Sequence, residues 1–303
     1  MGSGARVKEL SYYESVMNVL RGSEVEIRPA IHSFSKYDVH IKNTIARNLM
    51  TLRKDLGYSQ LHFSKLIEVS LSQYKKYEAA AEIIRLDVAH RIALKLGYPI
   101  FHLFNGSPYD QFLDVPPENR RLRKLCYFSN SLTDAYFSQL CKILSTFSRA
   151  GGSAGIDAPH SGLVEQDFER ALEENHTSIY TAIGEGIRAV RHYLDMSQES
   201  AAGHMGVALK TYREYEKASQ RPRFNMLASA HYIIGMGVHP FYVLYGTHFV
   251  KVRKMQNSRI EVLIGIAQSI DSEVLTELGP LIDGFFESIR NLPNAQFYPL
   301  KMD

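Results

Sequence analysis

The chain has 303 residues, 45% hydrophobic and 22% charged, which is enough for about two domains with buried cores and too apolar for wholesale disorder. A formal net charge of only +3 excludes a protein that coats nucleic acid by charge alone, so the placement of charge says more than its sum. Two cysteines fifteen positions apart (Cys126, Cys141), twelve histidines without paired ligand spacing, and no bilayer-length apolar run argue against a disulfide scaffold, a zinc site or a membrane span. They fit a cytoplasmic, reducing setting.

Nearly every segment carries helical periodicity, and no long run alternates strictly, so the expectation is an all-α protein. A first helix is predicted over 7–21, and a loop broken by Pro29 follows. From 41 to 57 the stripe Ile41, Ile45, Leu49 and Leu52 predicts a helix ended by Gly57, a residue suited to a left-handed cap. Ser59 caps the next helix, whose Phe63, Leu66 and Ile67 face inward. A turn at Glu68–Ser70 leads into a second short helix over Leu71–Tyr77, and helices at 86–97 and 100–104 complete a five-helix bundle. Amphipathic helices over 118–149 come next, then a Gly-, Ala- and Ser-rich linker at 149–162 and a helix at 163–175. A second bundle is predicted from 179–195, 224–237 and 240–246 around its own motif, and amphipathic helices over 256–291 close the chain.

These elements divide the chain into an N-terminal helix and loop (1–39), a first helix-turn-helix domain (40–107) and connecting helices (108–150). The linker (151–162), a second helix-turn-helix domain with its leading helix (163–248) and C-terminal helices (249–303) follow. The trailing helices are expected to pack on each other or to join two chains as a homodimer.

One signature occurs twice, SQLHFSKLIEVSLSQYKKYE at 59–78 and SQESAAGHMGVALKTYREYE at 197–216, aligned without a gap so that Ser59 and Ser197, like Glu78 and Glu216, lie 138 positions apart. Two residues are then inserted, since Gly97 matches Gly237 and Phe101 matches Phe241. The 138 spacing later returns, with Leu125 on Leu263, Leu132 on Ile270, Leu140 on Leu278 and Leu144 on Ile282. Each signature describes a capped helix, a three-residue turn and a second helix of a size to enter a DNA major groove. Residues 41–107 hold ten Lys and Arg against five Asp and Glu, and 179–248 hold seven against five, whereas 108–178 hold seven against ten. Positive charge thus gathers where phosphate contacts would be made. Tyr74, Tyr77, Tyr212 and Tyr215 read as inward-facing core rather than a base-stacking platform.

The pattern Ser-Gln, a small residue (Ser64, Ala202), Val69 or Val207 before the second helix, and a closing Glu resembles the lambda-repressor-like, xenobiotic-response-element helix-turn-helix family over about 65 residues of each half. The second copy matches better, with Gly206 in the turn and Gln220-Arg221-Pro222 after the motif. In the first, Glu68 stands at the turn glycine and Ala79-Ala80-Ala81 replaces the usual loop. The resemblance implies base reading by Leu71, Ser72, Gln73, Lys75 and Lys76 in one half and by Leu209, Lys210, Thr211, Arg213 and Glu214 in the other. It implies phosphate contacts from Gln60, Arg53, Lys54 and Arg85, and from Gln198, Arg191, Arg221 and Arg223. Because the two sets differ, unlike half-sites are expected, in an imperfect palindrome or a direct repeat.

The function expected is a sequence-specific transcriptional regulator of bacterial or phage type that binds double-stranded DNA without a cofactor. The alternative is an adaptor whose bundles dock a protein, and a small ligand between the trailing helices is a third option. No phosphate-cradling loop or nucleophile elbow suggests an enzyme.

Overall fold

The computed structural model describes residues 11–22, 38–107, 125, 129–130, 132–148, 165–217, 224–238, 240–289 and 292. The linker at 149–162, all of 108–124, the loop at 218–223 with Arg221 and Arg223, and Cys126 lie outside them. The protein is all-helical. The first half runs α1 (Tyr12–Gly22), α2 (Asp38–Asp55), α3 (Gln60–Leu66), α4 (Leu71–Glu78), α5 (Leu86–Leu96), a 3-10 turn (Ile100–Phe104) and α6 (Asp134–Ser145). The second runs α7 (Glu165–Thr177), α8 (Ile179–Tyr193), α9 (Gln198–His204), α10 (Leu209–Glu216), α11 (Met226–Met236), a 3-10 turn (Pro240–Leu244), α12 (His248–Gln268), α13 (Ser272–Glu277) and α14 (Gly279–Ile289).

The predicted stripe of α2 is buried: Ile41 and Leu49 are fully enclosed, and Ile45 and Leu52 nearly so. Gly97 ends α5 with φ +63°, the left-handed conformation in which a residue without Cβ carries no steric cost. The C-terminal region departs from expectation. Its long helix begins at His248 rather than 256, because Thr247 caps it by accepting the Val250 amide at 3.2 Å. It is also broken twice, at Ser269–Asp271 and at Leu278, so that 256–291 holds parts of three helices.

Two apolar clusters hold these elements. The larger is continuous across both halves, from Val16 and Leu20 on α1 through α2–α5 to α7–α11 and on to Phe249, Val250, Val252 and Met255 on α12. The smaller is built from Leu125, Leu132, Phe137, Leu140, Cys141 and Leu144 against Leu263, Ile266, Ala267, Ile270, Leu278 and Ile282. The trailing helices of the two halves therefore pack on each other within one chain. α12 serves both clusters, since its 21 residues reach about 30 Å at 1.5 Å per residue.

Polar groups on α12 fix its position. Gln256 donates its Nε2 to the Leu94 carbonyl at 3.1 Å, satisfying an orphan acceptor at the end of α5. Arg259, fully enclosed, donates to the Leu132 carbonyl at 2.6 Å and to Asp134 Oδ1 at 2.5 Å, with its guanidinium carbon 4.5 Å from the centre of the Phe137 ring. A buried charge this well partnered costs much to orphan.

Candidate nucleic-acid interface

Each signature folds as a short helix, a tight turn and a second helix, and the same atoms do the same work in both. Ser59 Oγ accepts the His62 amide at 3.1 Å, and Ser197 Oγ accepts the Ser200 amide at 3.0 Å, each satisfying a donor that the first turn leaves open. The turn requires one residue at positive φ. Gly206 supplies it at +63°, while Glu68 adopts +57° and bears the Cβ crowding that glycine avoids. Lys95 anchors Glu68 in that conformation, donating to its Oε1 at 2.6 Å and to the Leu66 carbonyl at 2.8 Å. At the position matching Lys95 the second half has Gly235, packed so closely on the end of α9 that a Cβ there would lie 2.2 Å from the His204 carbonyl oxygen.

A second set of contacts ties each pair of helices to the helix before it. Arg53 Nε donates to Glu78 Oε1 at 2.7 Å and its Nη1 to the Tyr58 carbonyl at 2.8 Å, while Gln60 Nε2 reaches Glu78 Oε2 at 2.5 Å. In the second half Arg191 donates to Glu216 Oε1 at 2.6 Å and to the Met196 carbonyl at 3.0 Å, and Gln198 Nε2 to Glu216 Oε2 at 2.7 Å. Burial works against the charge on Glu78 and Glu216, but hydrogen bonds from the Arg and Gln outweigh it and leave both carboxyls below their ordinary range. The guanidinium groups of Arg53 and Arg191 are thus turned inward as braces, where the resemblance had them reaching phosphate. Gln60 and Gln198 likewise have their amide N–H groups engaged within the module. The shared Arg, Gln and Glu spacing was visible in the sequence, but the bracing role was not read from it.

The braced helices present a consistent outer face. Tyr74, Tyr77 and Tyr212 are buried and Tyr215 is half-buried, edge-on to Phe224 at 5.0 Å. On α4, Ser72, Lys75 and Lys76 are exposed, with Leu71 and Gln73 half-buried; on α10, Lys210 and Arg213 are exposed, with Leu209, Thr211 and Glu214 half-buried. A helix-turn-helix family model matches residues 49–103. The match runs from within α2 through α3, the turn, α4 and α5 into the 3-10 turn, and it supports a DNA-binding helix-turn-helix regulator in general terms. No curated protein and no solved structure matches the chain.

The polar surroundings of the two helix-turn-helix faces differ. Glu82, in the loop after α4, accepts from Gln73 Nε2 and from Lys76 Nζ, both at 2.7 Å, so one carboxylate holds two of the expected base-reading groups. Sequence reasoning missed Glu82 because a loop residue nine positions from Gln73 belongs to no helical period. Arg85, with a half-exposed side chain, is paired to Asp87 at 2.5 Å. On α10, Arg213 Nε lies 3.3 Å from Gln198 Oε1, and Glu214 accepts from Lys217 at 2.9 Å. Among the described residues no cluster could hold a metal ion, and no helix is long and apolar enough to cross a membrane.

Proposed function

We propose that the chain is a sequence-specific DNA-binding transcriptional regulator with two reading heads, α4 and α10, one for each of two half-sites. The observation that carries this reading is the outward row of donors on each helix, Ser72, Gln73, Lys75 and Lys76 on one and Lys210, Thr211 and Arg213 on the other, above a brace of the same composition. In a major groove, Lys76 and Lys210 suit guanine acceptors, Gln73 suits adenine, Thr211 suits a thymine methyl and Glu214 suits a cytosine amino group. Arg85, Arg221 and Arg223 are assigned to phosphate, as are Gln60 and Gln198, each through the second N–H of a side-chain amide whose first N–H is held by Glu78 or Glu216. The domain limits at 40–107 and 163–248 belong to this proposal.

The test is selection from a random duplex pool, followed by binding of charge-reversed chains. Lys75→Glu with Lys76→Glu should weaken the enriched duplex, as should Lys210→Glu with Arg213→Glu, and each pair should lower the salt slope by about 2. An unenriched pool would end the proposal. A second reading, in which the first head docks a protein instead of DNA, is favoured by one contact, the hold of Glu82 on Gln73 and Lys76. In that case the Lys75 and Lys76 reversal leaves DNA affinity unchanged.

A further inference from the structure

On the two-headed reading, the relation of the heads in space follows from how the two halves meet. The segments that open α5 and α11 meet: Arg85 pairs with Asn225 in an isolated antiparallel bridge, and the Met226 amide donates to the Ile84 carbonyl at 3.3 Å. These segments hold the same place in the two halves. α5 spans Leu86–Leu96 and α11 spans Met226–Met236, and Gly97 and Gly237 follow them with φ +63° and +66°. Arg85 and Asn225 are therefore counterparts, each one residue before its helix.

Counterparts that pair antiparallel are related by a half-turn, because a translated copy would lay the segments parallel. A half-turn also makes contacts reciprocal: if one position touches another across the axis, their counterparts touch as well. His231 Nε2 lies 3.0 Å from Asp38 Oδ1. The counterpart of Asp38 is His176 and that of His231 is Arg91, and Arg91 Nη1 lies 3.2 Å from His176 Nδ1. α5 and α11 also pack on each other. The smaller core repeats the relation, since Leu125 and Leu263, Leu132 and Ile270, Leu140 and Leu278, and Leu144 and Ile282 are counterparts buried in one cluster. The leading helices depart from it, α1 packing on α8 while α7 packs on α5 and α12.

We infer that the chain is an internal pseudo-dimer: one polypeptide sets its two heads about a local dyad and reads one duplex site composed of two unlike half-sites in inverted orientation. B-DNA has its own local dyads perpendicular to its axis, so heads related by a half-turn meet inverted half-sites in equivalent poses, while a direct repeat offers one head the wrong strand polarity. The half-sites differ because the reading residues differ, Gln73 and Lys76 facing Thr211 and Glu214 at matching positions. The continuous core fixes the distance between the heads, so one spacing is favoured.

The test uses the full chain and varies only the DNA. Selection from random duplexes should enrich two different elements in inverted orientation, and native mass spectrometry should find one chain per duplex. Turning one element around in place, or adding about 5 base pairs between the two, which is half a helical turn, should lower affinity about 100-fold, to that of one element alone. A preferred direct repeat, indifference to orientation, or two chains on one such site would overturn the dyad while leaving DNA reading intact. A pool that enriches nothing would remove the two-headed reading and this inference together.

Discussion

On the proposed reading, Glu82 sets how many donors α4 can offer to DNA. Its carboxylate sits between Gln73 and Lys76, and those two hydrogen bonds, chiefly that from Gln73, keep it below its ordinary range. Beside a polyanion, a carboxylate that neutralises a lysine removes one phosphate-facing charge. Glu82→Gln keeps an acceptor for Lys76 but releases its charge. The variant should bind the selected duplex about three- to tenfold more tightly at moderate salt, with a slope of log affinity against log salt steeper by about 1. Fluorescence anisotropy over a salt series reads both quantities, and an unchanged slope would mean that Glu82 is clear of the DNA. Residues of this kind mark where the sequence stops being legible. Ser59 as a cap and Tyr74 as core follow from local chemistry and from period, whereas the inward turn of Arg53 and the reach of Glu82 depend on rotamers chosen by partners brought near by the fold.

At the scale of the element, caps and periodicity made most helices readable. Ser59, Ser197 and Gly97 stand where the chain turns, and their chemistry is local. The miss at Thr247 has the opposite cause: the apolar run before it and the polar start of α12 blur the period, and only the Val250 amide on its hydroxyl shows the start. The caps also expose a difference between the heads. Ser70 Oγ accepts the Gln73 amide at 3.1 Å at the start of α4, but Ala208 opens α10 with no side-chain bond. Ala208→Ser should therefore stabilise the second head by about 1 kcal/mol, and Ser70→Ala should cost the first about as much. Urea melts of the two variants decide the matter, and a destabilised Ala208→Ser would show that α10 does not begin as described. The braces predict a larger effect. Glu216→Ala leaves the guanidinium of Arg191, whose side chain is 11% exposed, without its carboxylate, at a cost of about 3 kcal/mol. Adding Arg191→Met should recover part of that loss in the same melts, whereas a double variant no better than the single would assign the cost to packing alone.

At the scale of the molecule, one apolar core runs through both halves and a smaller one joins their trailing helices; the packing of the trailing helices was legible in the sequence, the shared larger core was not. The duplication predicts two bundles joined through their trailing helices, and a repeat in the chain says nothing about whether the bundles themselves share a core. His90 lies where they do, on α5 with its ring stacked on Phe249 of α12 at 4.3 Å, and its Nδ1 has no partner among the described residues. Burial, with Arg253 adding to it and Asp87 opposing, pushes its pKa down to about 3. In the unfolded chain an ordinary histidine takes up its proton near pH 6.5, while the folded chain excludes that proton until about pH 3. The stability gained by keeping His90 neutral is therefore complete above about pH 6.5 and declines as the pH falls toward 3. Glu78, Glu216 and Asp87, all held below their ordinary values, lose their share only at lower pH, so between pH 6.5 and 5 the histidine contribution can be separated. Across that interval the wild-type chain should lose about 2 kcal/mol more than His90→Phe, which keeps a ring against Phe249 and cannot be protonated. Because the core that His90 occupies is continuous, the loss should appear as a lower midpoint of a single unfolding transition rather than as the early melting of one half. Equal pH slopes for the two chains would place the ring in contact with water, and two resolved transitions would show that the halves fold apart.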